Sequence, residues 1–298
     1  MCGIVGLLVK RAELRVRLGE WATPMFVCMA DRGLDSGGMA VFGSAQAGTR
    51  RMSLFVGDRQ YDWQRFLESF RRAFSTDSAE ILGVENHGIL ITSVAPPRVK
   101  TWLAEFDSAL LVLSVGRSMD IFKDQGTARE ISRRYRFAEL TGTHCVGHTR
   151  MATESAVTPA HSHPFTAGED FCLVHNGSLS NPYMLCRMLE KQGVHFDTDN
   201  DTEAACRFIE WRLREGDSLN LAIERAFEEL DGFYTLLMAT TDAMTLVRDA
   251  FACKPAVVAE TDDYVAVSSE FRSMAHLPGV ADAKIFEPQP ETIYSWRV

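Results

Sequence analysis

The chain has 298 residues, 46% of them hydrophobic and 24% charged, the composition of a globular protein with ample length for a sizeable core. A formal net charge of -9 and a pI near 5.4 argue against nucleic acid or an acidic membrane surface as a partner. No stretch approaches the roughly 20 apolar residues of a membrane span, and residues 1–10 lack the features of a secretory signal. The seven cysteines include no Cys-x-x-Cys pair, which fits reduced thiols in a cytoplasmic protein.

The chain opens Met1-Cys2-Gly3-Ile4-Val5-Gly6. Removal of Met1 would leave Cys2 with a thiol nucleophile and a free α-amine able to serve as its base. An α-amine titrates near pH ~8, so part of it is neutral at physiological pH. Cys2 is also readable as a small buried residue at the start of a strand, because Gly3–Val9 is rich in strand formers. Leu18–Asp31 follows with Trp21, Met25, Cys28 and Met29 at helical spacing. The glycines of Arg32-Gly33-Leu34-Asp35-Ser36-Gly37-Gly38 break that helix into a loop before a strand at Met39–Phe42.

From about residue 58 to 140 the pattern changes. Asp58–Arg72 is amphipathic, with Trp63, Phe66, Leu67 and Phe70 on one side. A strand at Ile89–Ser93, a helix at Arg98–Phe106, a strand at Leu110–Val115 and a helix at Thr127–Phe137 follow. No linker rich in Pro, Gly or Ser bounds this stretch, so it reads as an insertion over approximately 58–140 within a single domain covering 1–298. Strands resume at Thr143–Thr149 and Phe171–Val174, then helices at Pro182–Gln192, Thr202–Glu215 and Ser218–Leu230. The tail is strand at Tyr234–Thr240, Met244–Arg248, Ala256–Glu260, Tyr264–Ser268 and Thr292–Trp296. Helices and strands in grouped runs indicate an α+β fold.

Three later segments bear on Cys2: Gly147-His148-Thr149-Arg150-Met151-Ala152-Thr153, His175-Asn176-Gly177-Ser178, and Asp199-Asn200-Asp201-Thr202-Glu203. Together they suit a free amino acid that carries a side-chain amide. Arg150 at a strand end can hold an α-carboxylate bidentately. Asp201, just before a helix, can pair with an α-ammonium or cap its own helix. The Asn176 side chain and the Gly177 N–H can point two donors at a tetrahedral oxyanion. His144, Cys145, His148, His161 and His163 raise a zinc reading. The four-residue spacing of His144 and His148 lies on a strand, where it does not bring them together as on a helix, so no metal is expected.

With these motifs in order, the chain resembles the class II glutamine amidotransferases, which are N-terminal-nucleophile hydrolases. The residues that carry the resemblance are Cys2-Gly3-Ile4, the Arg32 loop, Gly147-His148-Thr149-Arg150 with Thr153, His175-Asn176-Gly177, and Asp201-Thr202-Glu203. Arg248-Asp249, Lys254-Pro255 and Ser268-Ser269-Glu270 resemble the family's closing strands. The resemblance implies a four-layer αββα sandwich, with Cys2 as nucleophile and Asn176 and Gly177 as the oxyanion hole. It implies Arg150 and Thr153 as carboxylate ligands and Asp201 as ammonium ligand, and adds to the substrate-binding set Arg32, in the loop near the nucleophile, and His163, which helps shape the glutamine pocket. Met151 and Glu154-Ser155 depart from the family pattern, which commonly has an aromatic residue and His-Gly there.

Gly147–Ser155 and the run Ser114-Val115-Gly116-Arg117-Ser118-Met119-Asp120-Ile121-Phe122-Lys123-Asp124 are similar to the stand-alone amidotransferase subunit of glutamate synthase-like systems, N-methylglutamate synthase among them. That resemblance implies ammonia transfer to separate synthase subunits, a flavin-binding barrel and a Gly-rich β-helix. FMN and iron–sulfur centres would then reside there and no cofactor in this chain. Transfer to another acceptor, a different amide hydrolase and a non-catalytic glutamine-sensing subunit stay open at this point. So does the role of the insertion, as a docking surface or as an elaboration without a partner.

Overall fold

The computed structural model describes residues 2–151 and 156–298. In chain order the first elements are β1 (Gly3–Val9), α1 (Leu18–Cys28), β2 (Ser36–Phe42), β3 (Arg50–Phe55), α2 (Trp63–Phe74), β4 (Glu80–Val84), β5 (His87–Thr92) and α3 (Pro96–Phe106). Next come β6 (Leu111–Gly116), β7 (Met119–Gln125), α4 (Ala128–Arg134), β8 (His144–Arg150), β9 (Phe165–Thr166), β10 (Cys172–Leu179), α5 (Pro182–Glu190), α6 (Asp201–Arg214) and α7 (Leu219–Glu229). The chain closes with β11 (Gly232–Ala239), β12 (Ala243–Arg248), β13 (Val257–Glu260), β14 (Tyr264–Ser268), β15 (Lys284–Phe286) and β16 (Tyr294–Arg297).

Side-chain alternation in β1 sets the layers. Val5, Leu7 and Val9 face one way and pack with Trp21, Met25 and Phe26 of α1. Ile4 and Leu8 face the other way and meet Cys172, Val174, Leu237 and Leu246 from a second sheet. The strands β10 and β11 split in the same manner. Leu173, Leu236 and Met238 turn outward to Ala205, Phe208 and Ile209 of α6 and to Ala222 and Ile223 of α7. Helix, sheet, sheet and helix therefore stack in four layers, the αββα sandwich of the N-terminal-nucleophile hydrolases.

The first sheet has the order β15-β13-β14-β1-β8-β2-β7 and the second β16-β12-β11-β10-β9, with antiparallel neighbours throughout. β1 is flanked by β14 and β8, so the start of the chain is fixed from both sides. The C-terminal end of β8, the middle of β10 and the start of α6 all come to the same end of the sandwich, around Cys2.

A third sheet, β4-β5-β3-β6, packs one face under α2 and α3 and meets the main cores through Phe55, Ile89, Ile91 and Leu113 on the other. Its core is aromatic, with Trp63, Phe66 and Phe70 from α2 against Trp102 and Phe106 from α3. The third-sheet unit runs from Arg50 to Gly116, starting and ending before the stretch of about 58–140 expected as an insertion. β3 begins it, since β3 pairs with β5 and β6. β7 and α4 lie outside it: β7 pairs with β2 from Ser36↔Gln125 to Phe42↔Met119 and completes the edge of the first sheet. Among the described residues no helix is long and apolar enough to cross a membrane.

Candidate active site

Cys2 is half-buried, directly before β1, with its Sγ 3.9 Å from the Met151 carbonyl oxygen. Arg32 Nε donates to the Cys2 carbonyl at 2.9 Å, and Arg32 Nη1 pairs with Glu270 Oε1 at 2.6 Å. Glu270 also accepts from Arg272 Nε at 2.6 Å. Two residues further on, Ile4 N–H donates to Ser269 Oγ at 3.0 Å and the Ser269 N–H donates to the Ile4 carbonyl at 3.0 Å. The first residues are thus held by side chains that arrive from β14 and from the turn after α1.

A cavity of about 190 Å³ opens beside Cys2, and Arg150, His163, Gly177 and Asp201 line it with Cys2. Arg150 is buried at the end of β8, where its Nη1 donates to the Ala156 carbonyl at 3.0 Å. Burial lowers its pKa, while Cys2, Asp35, Asp201 and Asp199 act in the opposite sense. A guanidinium keeps its charge through such a shift.

Asn200, not Asp201, caps α6: its Oδ1 accepts from the Thr202 N–H at 2.9 Å. Of the two sequence readings of Asp201, the helix cap is therefore already supplied by its neighbour. Asp201 Oδ2 accepts from the Leu179 N–H at 2.9 Å, and Oδ1 lies 3.3 Å from Thr202 Oγ1 and 3.7 Å from His175 Nδ1. Burial raises this carboxyl, but the His175 imidazole, the Leu179 N–H and the Thr202 hydroxyl outweigh it and bring the pKa to about 2.

Asn176 and Gly177 lie in mid-β10, opposite Thr235 and Tyr234. Asn176 is buried and its Nδ2 has no hydrogen-bond partner among the described residues. A buried amide left so carries a desolvation cost, which a site for a developing oxyanion would repay. Gly177 has φ 154°, and a Cβ there would lie 1.9 Å from the Phe233 carbonyl oxygen. No larger residue fits, so glycine lets β10 approach β11 this closely beside the cavity.

His163 joins a buried cluster with His148 and His175. The His148 and His163 rings stack with centroids 3.9 Å apart. His148 Nε2 contacts the His175 carbonyl at 2.9 Å, His163 Nδ1 accepts the His175 N–H at 3.3 Å, and Thr202 Oγ1 lies 3.0 Å from His175 Nδ1. Burial lowers the pKa of His148 to about 3 and holds His163 well below the usual histidine range, so both rings are neutral. His144 sits elsewhere, stacked on Phe42 at 4.4 Å with Nε2 at the Thr240 carbonyl, and Cys145 belongs to the core under α1.

Arg32 lies beside Cys2, as its loop motif implies, but does not line the cavity; its Nε and Nη1 bond the Cys2 carbonyl and Glu270, and it holds the Cys2 backbone. Thr153 lies outside the described residues. Glu270 and Thr202 escaped assignment from the sequence, because their partners lie far away in the chain. Tyr183, which also lines the cavity, sits in the first turn of α5 without a motif around it.

Comparison with known proteins agrees with this arrangement. The glutamine amidotransferase domain family matches residues 148–276. A glutamine amidotransferase-like protein GlxB of Rhizobium meliloti is 39% identical, over 99% of this chain and 98% of that protein. A relative from Methanothermobacter thermautotrophicus is 31% identical over 99% of both chains. Among solved structures, the glutamine phosphoribosylpyrophosphate amidotransferase of B. subtilis superimposes with a TM-score of 0.58 at 19% identity. The match covers 99% of this chain and 49% of that one, so the chain spans about half the length of that enzyme. The chain belongs to the class II glutamine amidotransferases, the family whose nucleophile is an N-terminal cysteine.

Proposed function

We propose that the chain hydrolyses L-glutamine to glutamate and ammonia through a thioester on Cys2. The observation that carries this reading is that Cys2, Arg150 and Asp201 line one cavity. One cation and one anion beside a thiol complement an α-carboxylate, an α-ammonium and a carboxamide. Arg150 takes the carboxylate, with Thr153 as its companion in the motif; Asp201 takes the ammonium; His163 forms part of the wall.

The steps follow from these positions. The Cys2 sulfur attacks the amide carbon as its proton passes to the α-amine exposed by removal of Met1, directly or through a water. The carbonyl electron pair moves onto oxygen, where Asn176 Nδ2 and the Gly177 N–H stabilise it. The ammonium then returns its proton to the substrate nitrogen, the C–N bond breaks and ammonia leaves. A water attacks the thioester with the amine as base, releasing glutamate and restoring the thiol.

We also propose that the ammonia passes to a separate synthase subunit, glutamate synthase-like or of the N-methylglutamate synthase type. Flavin and iron–sulfur chemistry would reside on such subunits. The resemblance of Ser114–Asp124 and Gly147–Ser155 to the stand-alone amidotransferase subunits of such systems supports this reading. The test is glutamate and ammonia release from L-glutamine by the wild-type chain and by Cys2→Ala. Turnover in the wild type and none in the variant is expected; equal rates in the two would overturn the thioester.

A further inference from the structure

The run Ser114–Asp124 has no part in the chemistry above, yet its penultimate residue is a buried lysine. Lys123, on β7, is 5% exposed. Its Nζ donates to the Ser162 carbonyl at 2.9 Å and to the Pro164 carbonyl at 3.2 Å, and lies 5.0 Å from the centre of the Phe165 ring. The residue between those two carbonyls is His163, which lines the glutamine cavity.

The backbone is arranged to permit this tie. At Gly38, on β2 opposite Lys123, a Cβ would meet the Lys123 Cβ at 2.5 Å and the His163 carbonyl oxygen at 2.5 Å. Only glycine lets the lysine stem and the His163 backbone close on the strand together. On the far side, Lys123, Ala160 and Phe165 line a second cavity of about 550 Å³. Residues 160–165 therefore lie between two open spaces: the His163 ring is held on the glutamine side by its stack on His148 and by the His175 N–H, and the carbonyls on either side of it are tied by Lys123. Burying an ammonium is costly, so its presence here rather than an apolar side chain of similar length calls for a use of its donors.

We propose that Lys123 is a positioning residue for glutamine binding: by holding the Ser162 and Pro164 carbonyls it fixes His163 as a wall of the substrate cavity. The inference rests on the glutamine reading of that cavity. Lys123 does not line the Cys2 cavity, so its effect is on substrate affinity through His163.

The test uses the full chain in an inert Cys2→Ala background, with L-glutamine binding measured by isothermal titration calorimetry and folding by thermal unfolding. Adding Lys123→Met, which keeps the stem and removes the donors, is expected to raise the dissociation constant ~10–100-fold, the scale of a wall displaced by about 1 Å. Adding Lys123→Arg, which keeps the donors, is expected to hold it within ~3-fold. Should Lys123→Met not fold, Lys123→Gln, with one donor group on a shorter stem, is expected to show an intermediate loss. A folded Lys123→Met or Lys123→Gln that binds glutamine as tightly as its Cys2→Ala parent would overturn the positioning role alone. A Cys2→Ala parent that binds no glutamine would overturn the glutamine reading and this inference with it.

Discussion

Arg32 holds Cys2 by its backbone: the guanidinium donates to the Cys2 carbonyl at 2.9 Å and is itself held by Glu270 at 2.6 Å. An N-terminal nucleophile has no preceding chain to fix it, so this pair takes over that work. Glu270→Gln is expected to lower kcat ~10-fold and Arg32→Met ~100-fold, both with KM within ~3-fold, because reacting atoms lose register while the substrate ligands stay in place. Steady-state glutaminase kinetics check this; a rise in KM at constant kcat would assign Arg32 to the substrate instead.

Asn176 Nδ2 is buried and has no partner among the described residues, so removing it costs the fold little. Asn176→Ala is expected to reduce kcat by ~10²–10³-fold, the loss typical of one oxyanion donor, with KM nearly unchanged. Thermal unfolding should be within a few degrees of wild type. A variant with full kcat would remove Asn176 from the oxyanion hole.

Asp201 has a second, measurable signature. Its pKa falls from the ordinary 3.8 to about 2 in the folded chain, so the carboxylate contributes stability that is complete above pH 3.8 and lost as pH falls through about 2. Asp201→Asn should therefore be less stable than wild type by a constant amount at neutral pH, and the gap should close between pH 3.8 and 2. Urea unfolding across that range measures it. The same substitution is expected to raise KM for glutamine ~100-fold by removing the partner of the α-ammonium.

Gly177 sits where any side chain collides with the Phe233 carbonyl oxygen. Gly177→Ala must push β10 away from β11 or twist its own backbone, at a cost of about 2–3 kcal/mol. Urea denaturation should show that loss together with a fall in kcat. Unchanged stability and turnover would mean that the strands give way easily at this point.

Cys2, Arg150, Gly177 and Asp201, each singled out from a short contiguous motif at an element end or a tight approach, come together around one cavity. Strands β1, β8, β10, β11 and β12 and all four long helices of the sandwich were legible from their apolar spacing. β3 and β7 were not. Met52 and Leu54 face the aromatic core of the third sheet while Phe55 joins the central core and Ser53 bonds Ser114, so β3 is buried on both faces and shows no alternation. β7 carries buried Lys123, bonded to the distant Ser162 and Pro164 carbonyls, and buried Asp124, bonded to Arg134 of α4 and to Tyr135, and its polar residues hide a strand of the main sheet. The expected stretch of about 58–140 therefore differs from the third-sheet unit at both ends. The role of Arg32 depended on Glu270, 238 positions away, which no local pattern displays.

The pairing of the Cys2 thiol with a glutamine site is tested most directly by a glutamine analogue that alkylates its target, 6-diazo-5-oxo-L-norleucine. Intact-mass and peptide mass spectrometry after incubation should show one adduct, on Cys2 of a chain that has lost Met1, suppressed by excess L-glutamine. An adduct on another residue, or a processed chain that stays unlabelled, would contradict a catalytic Cys2 in a glutamine pocket.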